Sequence, residues 1–185
     1  MSSPAVGLVD PGSHGKVVLA HKHYIEAGAR VVTTNNFGCN PNYFGKACAQ
    51  QGWDPNDTTK HIVKYTKVAG DLARQAIKEC GVPGVKLLGS LPCIWESHRP
   101  DQTDDFFREK GEEYIEDLYR QIAKALGEVD AFLCETMNTE QEAACAVRAC
   151  RDLGKPIWVS FEPTFRGERL APRCEVWGRE LEPQC

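Results

Sequence analysis

The chain has 185 residues, 42 % hydrophobic and 26 % charged, with a formal net charge of −4. That length buries one respectable core, and the mild acidity without any basic run gives no footprint for nucleic acid or a membrane surface. No apolar stretch approaches a membrane span, and MSSPAVGLVDPGSHG lacks both a cationic n-region and a long apolar h-region, so a soluble, cytoplasmic protein is expected.

Residues 1–12 carry no periodicity, and 1–15 read as a lead-in. Ser13 is a candidate N-cap for a helix in which Val17, Val18, His21, Tyr24 and Ile25 recur at helical spacing. Gly28 is placed to end it. Val31 to Thr34 are all β-branched and predict a buried parallel strand at about 30–35. The polar and aromatic stretch 36–58 is long for a loop, which implies either function or a short helix of its own.

A helix over about 59–80 puts Ile62, Tyr65, Ala69, Leu72, Ala73 and Ala76 on one face, and Gly81 and Pro83 break it. VKLLGSLP (85–92) is a second strand, with Gly89 allowing close approach by a ligand or a neighbouring strand. After a loop bearing Cys93, Trp95 and His98, one long helix is expected over about 104–126. Its inner face is Phe107, Gly111, Tyr114, Leu118, Ile122 and Ala125, and Asp104 and Asp105 are candidate caps. AFLCET (131–136) is the third strand. Thr139 and Glu142 make a capping-box pattern for a helix striped by Ala143, Ala146, Val147, Cys150 and Leu153, closed by Gly154. IWVSF (157–161) is the fourth strand, and no further period is visible beyond it. Strand-loop-helix repeated three times and closed by a strand predicts an α/β fold with a parallel sheet, either open or part of a barrel.

In such sheets ligand chemistry gathers at the carboxyl ends of the strands. Thr33, Thr34 and Asn35 there can hydrogen-bond a polar ligand, although threonine is also an ordinary strand residue and asparagine an ordinary turn residue. Glu135 ends an apolar strand, where a carboxylate needs a partner or a use. It is either a partner for a substrate ammonium group, or a general base, or a cap for the helix beginning at Thr139. These readings stand level on the residues alone. His21 and His23, two apart on a helix, point in different directions and make no metal pair. Trp53 and Trp95 read as packed aromatics before pocket walls, and His98 carries little. Neither a phosphate-binding glycine loop nor a nucleophile elbow is present.

Nine cysteines without a CxxC pair and in odd number argue against a disulfide framework. Most read as small buried apolar residues. Cys39, Cys93 and Cys134 fall near three strand ends, which leaves an improvised metal site as an alternative.

Three segments together carry a resemblance: HKHYIEAGARVVTTNNF (21–37), DAFLCETMNTEQEAACAV (130–147) and KPIWVSFEPTFRGERL (155–170), joined by VKLLGSLPC (85–93). In order and spacing the chain resembles the homocysteine S-methyltransferase family over about residues 16–170. The resemblance implies a partial (β/α)8 TIM-barrel-like sheet with about four βα units. It implies homocysteine and a methyl donor as partners, with methionine as product. It also implies a zinc ion bound by three cysteine thiolates, which makes the substrate sulfur nucleophilic at neutral pH. Glu135 would hold the homocysteine amino group, and Thr34 with Asn35 would line the same pocket.

The family's zinc cysteines belong to a Gly-x-Asn-Cys segment and a Gly-Gly-Cys-Cys segment that this sequence does not contain. Cys174 and Cys185 lie in a divergent tail, 171–185, and match neither. Residues 7–12 are at best a relic of the family's opening Asp-Gly-Gly loop. The expectation is a barrel lacking its first strand and last three, through an altered frame, a splice or a clipped gene model. A catalytically inactive domain acting as a binding or assembly module is the alternative, self-associating through exposed edges at 31–35 and 157–161.

Overall fold

The computed structural model describes residues 5–166 and 169–172. Four strands, β1 (Val31–Thr33), β2 (Lys86–Leu91), β3 (Ala131–Met137) and β4 (Ile157–Phe161), form one parallel sheet in that order. Two helices precede the sheet, α1 (Val6–Val9) and α2 (His14–Glu26). Between β1 and β2 run α3 (Pro41–Gln51) and α4 (Thr58–Cys80), and between β2 and β3 run α5 (Pro100–Lys110) and α6 (Glu112–Leu126). A single helix, α7 (Glu140–Cys150), joins β3 to β4. Parallel neighbours need such crossovers, because a tight turn cannot return the chain to the same end of the sheet. The architecture is the expected α/β alternation, compatible with part of a (β/α)8 barrel.

The core lies where α4 and α6 meet the sheet. Every residue assigned from periodicity to the inner face of α4 is buried. Gly70 explains how close the helices come: a Cβ there would stand 2.7 Å from the Leu126 carbonyl oxygen of α6. Gly89 serves the same packing. Its Cβ would meet Leu126 Cδ1 at 2.8 Å and Phe132 Cδ1 at 3.3 Å, so the close approach there is made by side chains of α6 and β3.

Several expectations need correction. The lead-in is not loose throughout, since Ala5 and Leu8 are fully buried on either side of the start of α1. Ser13 occupies the N-cap of α2, but its hydroxyl donates to Asp10 Oδ2 at 2.7 Å rather than accepting from the helix. The long stretch 36–58 contains α3, which is capped by Asn40 Oδ1 accepting from Tyr43 N at 3.0 Å. The helix expected over 104–126 is two helices. Gly111, at φ +79°, breaks it, and the chain enters α5 earlier, at Pro100. Asp104 and Asp105 therefore lie inside α5 and cap nothing.

Phe107, Leu118 and Ile122 are buried as expected, but the break changes the rest of the inner face. Ile115, Leu118, Tyr119, Ile122 and Leu126 are buried, whereas Gly111 and Tyr114 are exposed. Beyond β4, where no period was visible, β5 (Pro163–Arg166) and β6 (Arg169–Pro172) pair as an antiparallel ladder. Trp53 stacks on His61 and Trp95 on Phe106, with centroids 4.3 Å and 4.6 Å apart, so both tryptophans are packed aromatics.

Candidate functional site

The carboxyl ends of β1, β2 and β3 are joined by one polar network. Thr34 continues β1, donating its N–H to Leu88 O at 3.0 Å. Its hydroxyl donates to Asn36 Oδ1 at 2.6 Å and accepts the Ser90 N–H at 2.9 Å. Asn36 Nδ2 returns a bond to Ser90 O at 2.9 Å, and Ser90 Oγ donates to Glu135 Oε1. Thr34, Asn36 and Ser90 are buried, and a buried polar cluster this well satisfied fixes three strand ends in register. The Thr34 hydroxyl is thus engaged with protein groups. Asn35 beside it is half-buried, and its Oδ1 has no hydrogen-bond partner among the described residues.

Glu135 is half-buried, and burial raises its carboxyl above the ordinary carboxylate range, with the Ser90 hydroxyl partly opposing. The backbone beside it is irregular. Thr136 sits at φ +57°, an outlying conformation for a β-branched residue, and the ladder to β4 shifts register between Cys134 and Met137. A bulge re-aims the side chains it carries, and here those are Glu135 and Thr136.

The helix cap is made by other groups. Thr139 Oγ1 accepts from Glu142 N at 3.1 Å, and the Glu142 carboxylate accepts the Asn138 N–H at 2.8 Å. The capping box read from the sequence is real, and it releases Glu135 from the capping alternative. Glu142 also reaches beyond its helix, accepting the Ile94 N–H at 2.5 Å and standing 3.3 Å from the Tyr119 hydroxyl. Full burial pushes its carboxyl up to about 7, against these hydrogen bonds.

His98, at φ +64°, is exposed and pairs with Glu162, whose N–H donates to Met137 O at 3.2 Å. His21 is buried on α2. Of the residues that build the network, Ser90 and Asn36 were missed. The signals were faint: one serine inside an apolar strand, and the second of two adjacent asparagines.

The cysteines among the described residues do not make a metal centre. Cys39, Cys93 and Cys134 are fully buried, and burial pushes each thiol up to about 12. Among the described residues no three His, Cys, Asp or Glu side chains are grouped to hold a metal ion. The improvised site is therefore excluded for those three cysteines, and the zinc implied by resemblance does not fit the described residues. Cys174 and Cys185 lie outside them.

The sequence pattern of one known family runs through this whole framework, matching residues 5–174: homocysteine S-methyltransferase. The chain belongs to the homocysteine S-methyltransferase family. A search of curated proteins finds no match. Membership supports methyl transfer to homocysteine at the level of the family, with homocysteine and a methyl donor as the substrates. The match spans all four parallel strands and the Thr34–Ser90–Glu135 network. No described helix is long and apolar enough to cross a membrane.

Proposed function

We propose that this chain binds homocysteine at the carboxyl ends of β1 to β3 and takes part in methyl transfer to its sulfur, giving methionine. The observation that carries the reading is Glu135, a half-buried carboxylate aimed by a backbone bulge and bonded by the Ser90 hydroxyl. A substrate ammonium group supplies the positive charge that such a carboxylate lacks. Asn35 Oδ1, buried and without a partner among the described residues, adds a second acceptor at the end of β1, two strands from Glu135. Thr34 holds that end by bonding Asn36 and Ser90. The reading concerns binding and orientation of homocysteine and routes no step through zinc.

Calorimetric titration with homocysteine tests it. Glu135→Gln keeps the shape and removes the charge, and a charge-assisted bond lost in a half-buried site weakens affinity by about tenfold or more. Equal affinity in the variant and the parent would remove Glu135 from the site. Because burial raises the Glu135 carboxyl, binding that needs its charged form should weaken on acidification while pH is still above the ordinary carboxylate range.

A second reading, an assembly module without activity, rests on the sheet edges. Among the described residues β1 pairs only with β2, and β4 only with β3. Trp158 and Val159 on β4 are 53 % and 40 % exposed, and an open edge with large apolar side chains invites pairing. Light scattering separates the readings, since a monomer at all concentrations removes the second.

A further inference from the structure

Glu142 is the one acidic side chain that is fully buried among the described residues. A helix cap explains only part of its bonding. Closing the first turn of α7 needs the Thr139 hydroxyl and the backbone at the start of the helix. The Ile94 N–H comes from the segment after β2, and the Tyr119 hydroxyl from α6. The bonded backbone groups lie close in sequence to the site. Ile94 follows Ser90 by four residues, and Asn138 follows Glu135 by three. Ser90 and Glu135 are the hydrogen-bonded pair at the centre of the proposed site.

We propose that Glu142 is a positioning residue for the homocysteine site, its ionised carboxylate holding the segments after β2 and β3 so that Ser90 and Glu135 stay aligned. The inference rests on the reading of Glu135 as the ammonium partner.

The geometry makes the clamp sensitive to a proton. Each ionised oxygen accepts backbone N–H groups, and a protonated oxygen presents a hydrogen where an amide hydrogen already points. The Tyr119 hydroxyl, which donates to Pro92 O at 3.0 Å, is the neighbour able to accept a hydrogen bond from protonated Glu142, and turning the acid O–H toward it loosens the amide contacts. Burial places this exchange near 7. The ionisable groups facing Glu142 are Tyr119 from α6, Cys93 from the segment after β2 and Cys134 from β3. Burial holds Tyr119 well above its ordinary value and both thiols at about 12, so all three are neutral there. Glu135, also raised, is a nearby group whose titration must be separated, and Glu135→Gln separates it. Glu96, whose carbonyl accepts from Asn138 Nδ2, and the His98–Glu162 pair beside Met137 are further titratable neighbours, which Glu142→Gln leaves in place.

The experiment follows backbone amide resonances of the full chain across the neutral range and measures homocysteine affinity on the same samples. In the parent, the Ile94 and Asn138 amides are expected to shift together with a midpoint near 7. Glu135→Gln keeps that midpoint and Glu142→Gln abolishes it. Tyr119→Phe, which removes one bond favouring the ionised form, moves it to higher pH. Affinity for homocysteine falls about tenfold below the midpoint, and about tenfold in Glu142→Gln at pH above it, as for the loss of one charged hydrogen bond.

Amides that stay fixed through the neutral range overturn the proposal, and this measurement needs no variant to fold. So does a folded Glu142→Gln that binds homocysteine as the parent does. If the parent fails to bind at any pH, the homocysteine reading falls and the inference with it. That failure is recognisable because Glu135→Gln then also behaves as the parent.

Discussion

Thr136 shows how one backbone choice shapes the site. A β-branched residue at φ +57° is strained, of the order of 1–3 kcal/mol, and persists only where its surroundings over-determine it. Those surroundings are β4, which resumes pairing at Met137, and the Glu142–Asn138 bond one residue further on. Glu142 also has a consequence for stability. Its carboxyl lies near 4.5 in the unfolded chain and about 7 in the folded one, so the folded state binds the proton more tightly. Its contribution is fully present below 4.5 and is lost as pH rises through about 7. The shift corresponds to about 3 kcal/mol. Glu135 acts in the same direction, while His21, whose imidazole burial pushes down, acts against it. Denaturant titrations at several pH values should therefore show unfolding free energy falling more steeply over this window in the parent than in Glu142→Gln. Parallel curves would show that the group does not titrate there.

The elements pack through small residues at defined places. The Cβ added by Gly70→Ala would meet the Leu126 carbonyl oxygen, which cannot rotate away as a side chain can. The substitution gains about 1 kcal/mol of helix propensity. Overpacking against backbone offsets this by about 1–3 kcal/mol, so the expected net change is destabilising. Gly89→Ala meets the flexible tip of Leu126 and should cost less packing energy at that contact. A fall in the denaturation midpoint for Gly70→Ala checks the first statement, and a gain would show that α4 and α6 can separate freely. Helix periodicity placed α4 well because one uninterrupted stripe sets its face. It placed Leu118 and Ile122 correctly but misplaced the start of α6 and put Gly111 and Tyr114 inside, because Gly111 separates two helices and a glycine inside an apparent period gives no sign of its φ.

Across the whole molecule the open features are the two edges of the sheet. Strand β4 carries Trp158 and Val159 toward solvent, and its outer backbone groups have no strand partner among the described residues. If the assembly reading holds, Val159→Lys should lower the average mass by light scattering, since an edge lysine opposes strand pairing. An unchanged mass distribution would count against β4 as the contact. Homocysteine affinity should be insensitive to this change, because Val159 is paired in register with Cys134 rather than with the Glu135 bulge.

The sequence by itself determined the alternation of strands and helices, the parallel sheet, the family and the strand end bearing Glu135, because these follow from periodicity and short local motifs. Tertiary structure alone decided that Thr34 bonds Ser90 across two strands, that Ser90 reaches Glu135, and that Glu142 joins the ends of β2 and β3. Each of those bonds except Glu142 to Asn138 links residues dozens of positions apart. Such contacts exist only once the crossover helices have laid the strands side by side, and no local pattern encodes them.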